Sequence, residues 1–133
     1  MSSFVEAAES PEHRRLVKAL IEYLNGQGFA TICAAYTGFR QCDKMENHIP
    51  DVEVQNVDEL IAIGEAKTCE DLDNANTREQ FTVFSSQKMI GGKSKDKVVP
   101  FYILVTKGCE SKLAATLSGL GLGTKENIHR LSV

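Results

Sequence analysis

Asp51, Glu65 and Lys67 are the residues whose types and spacing suit chemistry. Asp51 follows Pro50 and opens a segment, residues 49–54, that reads as a strand starting on a carboxylate. Residues 60–67 read as a second, more buried strand that ends in Glu65-Ala66-Lys67. Side chains at i and i+2 of a strand share one face, so Glu65 and Lys67 point the same way. If the two strands pair as a hairpin, the start of one lies beside the end of the other. Asp51 then sits next to Glu65 and Lys67. Two carboxylates can hold a hard divalent cation, and a lysine beside them can orient a water for attack.

The elements that must position these groups follow from periodicity and punctuation. Ser10 is a helix N-cap with Pro11 at the first helical position. Leu16, Val17, Leu20, Ile21 and Leu24 recur at helical spacing and give one apolar stripe. Asn25-Gly26 ends that helix. Residues 29–36 are small and apolar and read as a first strand, followed by a polar loop over 37–49. A turn near 56–59 joins the two motif strands. Residues 77–89 read as a second helix, which Gly91-Gly92 terminates. Residues 98–106 are nearly all apolar, as a central strand covered on both faces requires. Pro100 must lie near its start, where a lost ladder donor is tolerable. Residues 110–120 form a third helix with Leu113, Leu117 and Leu120 inward, and 127–133 a last strand. The order is α-β-β-β-α-β-α-β. The first three strands should form an antiparallel meander. The unit over 60–106 should be a right-handed crossover that makes its two strands parallel. The expected fold class is α/β, a mixed sheet flanked by helices.

In these strands, Asp51, Glu65 and Lys67 resemble the signature of the PD-(D/E)xK nuclease superfamily, which includes restriction endonucleases and archaeal Holliday-junction resolvases. The order of elements is similar as well, and the likeness covers most of the chain. The resemblance implies a restriction endonuclease-like core and metal-dependent hydrolysis of a DNA phosphodiester bond. Asp51 and Glu65, with the carbonyl of Ala66, would ligate Mg²⁺ or Mn²⁺, and Lys67 would position the attacking water and a phosphoryl oxygen. Members often add a carboxylate from the first helix. Glu12, one turn before Leu16, is the choice here. His13, one turn before Val17, is the alternative, though it also reads as a solvated or capping residue. Glu9 needs an earlier helix start. Gln80 resembles a glutamine that members place on the helix after the lysine strand. It also fits a capping box over Thr77-Arg78-Glu79-Gln80, turned back to the helix start. Glu53 shares a strand face with Asp51 and is a further candidate ligand.

Each of these residues also has an ordinary reading. Pro-Asp often begins a turn, and an exposed Glu65–Lys67 pair contributes little. Together they weaken that reading. Ile61, Ile63, Glu65 and Lys67 share one face, so the strand runs from buried apolar residues to a charged end, and a charge buried without a partner is costly.

The 133 residues read as one domain, long enough to bury its own core. No stretch approaches a membrane span, and the first residues lack the pattern of a signal peptide. Cys33, Cys42, Cys69 and Cys109 are scattered without a CxxC pair, which reads as a reduced, cytoplasmic protein. Cys42 and His48 lack evident partners for a zinc site. The net charge of −3 does not advertise a nucleic-acid binder. It is unevenly spread: residues 43–79 hold eleven acidic side chains against Lys44, Lys67 and Arg78, while 88–97 hold four lysines against Asp96. Lys93, Lys95 and Lys97 are candidates to clamp a DNA backbone, with Arg40, Lys44, Arg14 and Arg15. The chain is small for a separate specificity domain, so a nuclease built this way would recognise structure or act with a partner. A homodimer would supply two sites for two strands. The competing function is a nuclease-like module that binds nucleic acid or protein without catalysis.

Overall fold

A computed structural model describes residues 10–133, apart from the side chain of Lys93. Its elements are α1 (Pro11–Gly26), β1 (Ala30–Ala34), β2 (Val52–Gln55), β3 (Ile61–Lys67), α2 (Ala75–Ser85), β4 (Phe101–Val105), α3 (Glu110–Gly119) and β5 (Ile128–Ser132). The expected element order holds. The five strands form one sheet in sequence order. β1, β2 and β3 are antiparallel neighbours, and β3, β4 and β5 run parallel. The chain is α/β with a mixed sheet.

Helix α1 starts as the capping residues dictate. The Ser10 hydroxyl accepts the His13 N–H at 3.0 Å, and Pro11 follows. All five residues of the apolar stripe are buried against β1, β2 and β3, each worth about 1.5–3 kcal/mol of transfer free energy. The helix ends at Gly26, as the sequence suggests, with Gln27 as the C-cap. Gly28, at φ 95°, takes the left-handed position, while Phe29 and Gly28 donate back to Leu24 and Asn25.

Two cores lie on opposite sheet faces. On one, α1 meets Val52, Val54, Ala62, Ala66 and Leu104. On the other, Phe81 and Phe84 of α2 and Leu113 and Leu117 of α3 pack on Ile63, Phe101, Ile103 and Val105. The alternation along β3 thus sends Ala62 and Ala66 toward α1, and Ile63 toward α2 and α3. Between them Gly64 is a point of close approach. A Cβ there would lie 2.6 Å from Val52 Cγ1 and 2.8 Å from Leu20 Cδ2. The missing side chain lets α1 settle onto β3.

Helix α2 departs from expectation at both ends. Asn74 caps it, accepting the Thr77 N–H at 2.8 Å, so the helix begins at Ala75 rather than Thr77. It ends at Ser85 rather than at the glycines. The Ser85 and Ser86 hydroxyls bond back to the Thr82 carbonyl and compete with the helical ladder. Residues 88 and 98 then form an isolated bridge.

The cysteines correct the sequence reading. Cys33 is bonded to Cys42, and Cys69 to Cys109. All four are paired, at positions 9 and 40 residues apart that no local motif signals. Cys42 is therefore not a partner of His48 in a zinc site. Among the described residues, no helix is long and apolar enough to cross a membrane.

Candidate metal centre

The hairpin register decides the site. Val52 pairs with Gly64, so Asp51, one residue before β2, falls opposite Glu65. Two backbone-to-carboxylate bonds join the strands there. The Asp51 N–H donates to Glu65 Oε1 at 2.9 Å. The Ala66 N–H donates to Asp51 Oδ2 at 2.9 Å. Beyond the last β2 pair, backbone groups on this side of β3 are met by side chains instead of a strand.

Lys67 closes the other side. Its Nζ lies 3.5 Å from Glu65 Oε2 and donates to Gln80 Oε1 at 2.5 Å. Gln80 therefore reaches out from α2 to the lysine and takes no part in the helix cap, because Asn74 has that role. His13 completes the group from α1, its Nε2 3.1 Å from Asp51 Oδ2. Asp51, Glu65 and Lys67 are only 7 %, 2 % and 9 % exposed. This excludes the reading of a solvated surface ion pair.

Electrostatics set the protonation state. Burial first, and then the neighbouring Asp51 charge, push the Glu65 carboxyl from 4.5 up to about 8, against the opposing pull of Lys67. Two carboxylates are thus packed side by side with a single lysine. The donor set suits a hard divalent cation: two carboxylate side chains, and the Ala66 carbonyl, which leaves the strand on the same side as the N–H that Asp51 accepts. The His13 imidazole lies on the same Asp51 oxygen.

Helix α1 contributes a different residue from the one expected. Glu12 turns to the end of β4, where it accepts the Thr106 hydroxyl at 2.8 Å, with Arg15 3.9 Å away. It does not meet Asp51, and His13 does. The signal was present in the helix geometry. At about 100° per residue, His13 falls near the middle of the apolar stripe and Glu12 about a quarter-turn or more to one side. Glu9 lies outside the described residues.

Other candidates are dispersed. Arg40 and Lys44 lie in the loop leading to Asp51, both exposed, with Arg40 3.7 Å from Asp43. Lys93, Lys95 and Lys97 belong to the loop between α2 and β4. That loop packs by the β2–β3 turn, where Val57, Leu60, Gly92 and Ser94 line one cleft. The β2–β3 turn is the end of the sheet opposite Lys67, so the structure does not bring the lysine loop to the carboxylates. Glu53 is half-buried, its carboxyl raised chiefly by burial, with Oε1 3.8 Å from Cys33 Sγ. Cys33, Cys42 and Glu53 cluster as metal-ligating types do, but the disulfide occupies both thiols. His48 meets Glu79 at 3.2 Å in a cleft of about 460 Å³ lined also by Arg78, Thr82 and Leu120. Neither Asp51, Glu65 nor Lys67 lines it.

No family model, curated protein or solved structure matches this chain.

Proposed function

We propose that this chain is a metal-dependent phosphodiesterase acting on DNA, built on a restriction endonuclease-like core of the PD-(D/E)xK type. The observation that carries the reading is the buried, interlocked set at the open end of the hairpin. The Asp51 N–H holds the Glu65 carboxyl, the Ala66 N–H holds the Asp51 carboxylate, and Lys67 is aimed between Glu65 and Gln80. Two carboxyl groups converge beside one ammonium, Glu65 on Lys67 and Asp51 on His13.

Asp51, Glu65 and the Ala66 carbonyl are the residues that would hold Mg²⁺ or Mn²⁺, with His13 adjacent. When bound, such an ion lowers the pKa of a water and stabilises charge on the phosphate. The remaining work falls to the protein's own groups. Gln80 fixes the Lys67 ammonium by accepting one of its hydrogens, which leaves others for a water or a phosphoryl oxygen. Lys67 also offsets part of the carboxylate charge, so that the site can accept an anionic substrate. The Ala66 N–H and the His13 ring hold the Asp51 carboxylate in place through Oδ2.

The inference of a cytoplasmic setting rested on unpaired thiols and loses that support now that the cysteines are paired.

The test is cleavage of labelled single strands, duplex, flaps and a four-way junction in Mg²⁺ and in Mn²⁺, with EDTA and Lys67→Ala as controls. Metal-dependent cutting lost in Lys67→Ala is the expected result. Folded protein that binds these substrates without cutting any of them would replace the reading with a non-catalytic module.

A further inference from the structure

The first turns of α1 carry another cation beside the site. Arg14 follows His13, whose ring touches Asp51. The Arg14 guanidinium lies over the Tyr36 ring, 5.1 Å from its centroid, and Nη2 donates to Thr37 Oγ1 at 3.0 Å. Tyr36 in turn follows Ala35, whose N–H donates to the Asp51 carbonyl at 2.7 Å. The chain neighbours of Arg14 and of its ring partner, His13 and Ala35, thus both bond to Asp51.

Among the described residues, no carboxylate takes up its charge. Arg15, Arg40 and Arg78 each pair with an acidic neighbour, at 3.9, 3.7 and 2.8 Å. Among the described residues, Arg14 makes no ion pair, and a ring and a hydroxyl hold it instead. Only one of five N–H donors is used by Thr37. The free edge of the fork has the geometry for two oxygens of a phosphate.

We propose that Arg14, oriented by Tyr36 and Thr37, is a phosphate-binding residue for the backbone of the nucleic acid engaged at Asp51 and Glu65. The proposal rests on the nuclease reading of that site. It assigns the backbone contact to the α1 end of the sheet rather than to the loop carrying Lys93, Lys95 and Lys97. Stacking on Tyr36 holds the guanidinium in place before the substrate arrives, which lowers the ordering cost of binding. The contact is to phosphate, so it fixes position and carries no sequence preference.

The experiment measures binding of a labelled duplex and a labelled four-way junction by fluorescence anisotropy, with Ca²⁺ and across a salt series. The Lys67→Ala background prevents cleavage. Adding Arg14→Ala should weaken binding about tenfold and lower the log–log salt slope by about 0.9, the signature of one lost phosphate contact. Arg14→Lys should restore the slope and only part of the affinity, since it keeps the charge and loses the fork. Thermal melting of each variant separates this from misfolding. An Arg14→Ala variant that is folded and binds with unchanged affinity and slope overturns the proposal. If the wild type still cuts DNA in that case, the nuclease reading stands and only the role of Arg14 falls. A parent protein that binds neither probe overturns both.

Discussion

Asp51 and Glu65 each lend a carboxylate oxygen to the strand of the other: Glu65 Oε1 accepts the Asp51 N–H, and Asp51 Oδ2 accepts the Ala66 N–H, both at 2.9 Å. The Ala66 bond stands in for the ladder partner that β3 loses beyond the Val52–Gly64 pair. Together the two bonds fix two acids side by side in a place almost closed to water. A strand end stitched this way has a definite geometry before any ligand binds.

The raised Glu65 carboxyl makes metal-free stability depend on pH. The folded Glu65 carboxyl lies at about 8 and the ordinary value is 4.5, so the folded state binds more protons between them. Unfolding free energy must then fall as pH rises through that window. The contribution of protonated Glu65 is whole below about 4.5 and gone above about 8. Melting curves in EDTA from mildly acid to mildly alkaline buffer should show a declining Tm. Glu65→Gln should flatten that decline, because it removes the titrating group and keeps the shape. A Glu65→Gln profile as steep as the wild type's would assign the slope to other groups.

A divalent cation should reverse the effect. A ligand that binds only the folded state stabilises it by mass action, about 2.7 kcal/mol at a hundred times its Kd. For a chain of this size that is a rise of several degrees in Tm. Mn²⁺ or Mg²⁺ should raise the melting temperature at pH 8 more than at pH 5, since ionised Glu65 is the better ligand. Asp51→Asn should abolish the shift. A shift that survives in Asp51→Asn would place the cation elsewhere.

Gly64 is predicted to be intolerant of even one added carbon. Its Cβ would meet Val52 and Leu20 at under 3 Å, and both neighbours are fully buried. Overpacking of this kind costs about 1–3 kcal/mol. Gly64→Ala should lower denaturant stability by that amount. It should also disturb His13, because α1 carries both Leu20 and His13. The imidazole resonances of His13, followed by NMR, would report the change. An unaltered midpoint would mean that α1 shifts without cost.

The disulfides predict a redox-dependent stability. Cys69 follows β3 and Cys109 caps α3, so that bond clips the exits of the two central strands across 40 residues. Cys33–Cys42 tethers the loop that leads to Asp51. Restraining the unfolded chain typically contributes about 2–4 kcal/mol per bond. Melting with and without dithiothreitol, alongside a thiol count, should show a clear loss on reduction. Cys69→Ala/Cys109→Ala should reproduce most of it. Equal melting temperatures in the two states would show that the bonds restrain little.

The sequence by itself determined the order of the elements, the mixed sheet and the three residues at its centre. Those are local or period-two properties. Alternation in residues 60–67 places Glu65 and Lys67 on one face, and a short hairpin brings Asp51 opposite, because antiparallel register follows from the turn. Helix α1 was legible from its cap and stripe for the same reason. Helical spacing already placed His13 rather than Glu12 over the apolar stripe, and the tertiary structure set the contact itself by settling α1 onto β3 at Gly64. It alone chose between two readings of Gln80, because a cap competes with a partner that sits 13 residues away in sequence. It alone paired the cysteines and sent the lysine-rich loop to the far end of the sheet. Those outcomes are set by contacts between segments distant along the chain, and no local pattern of residue types encodes them.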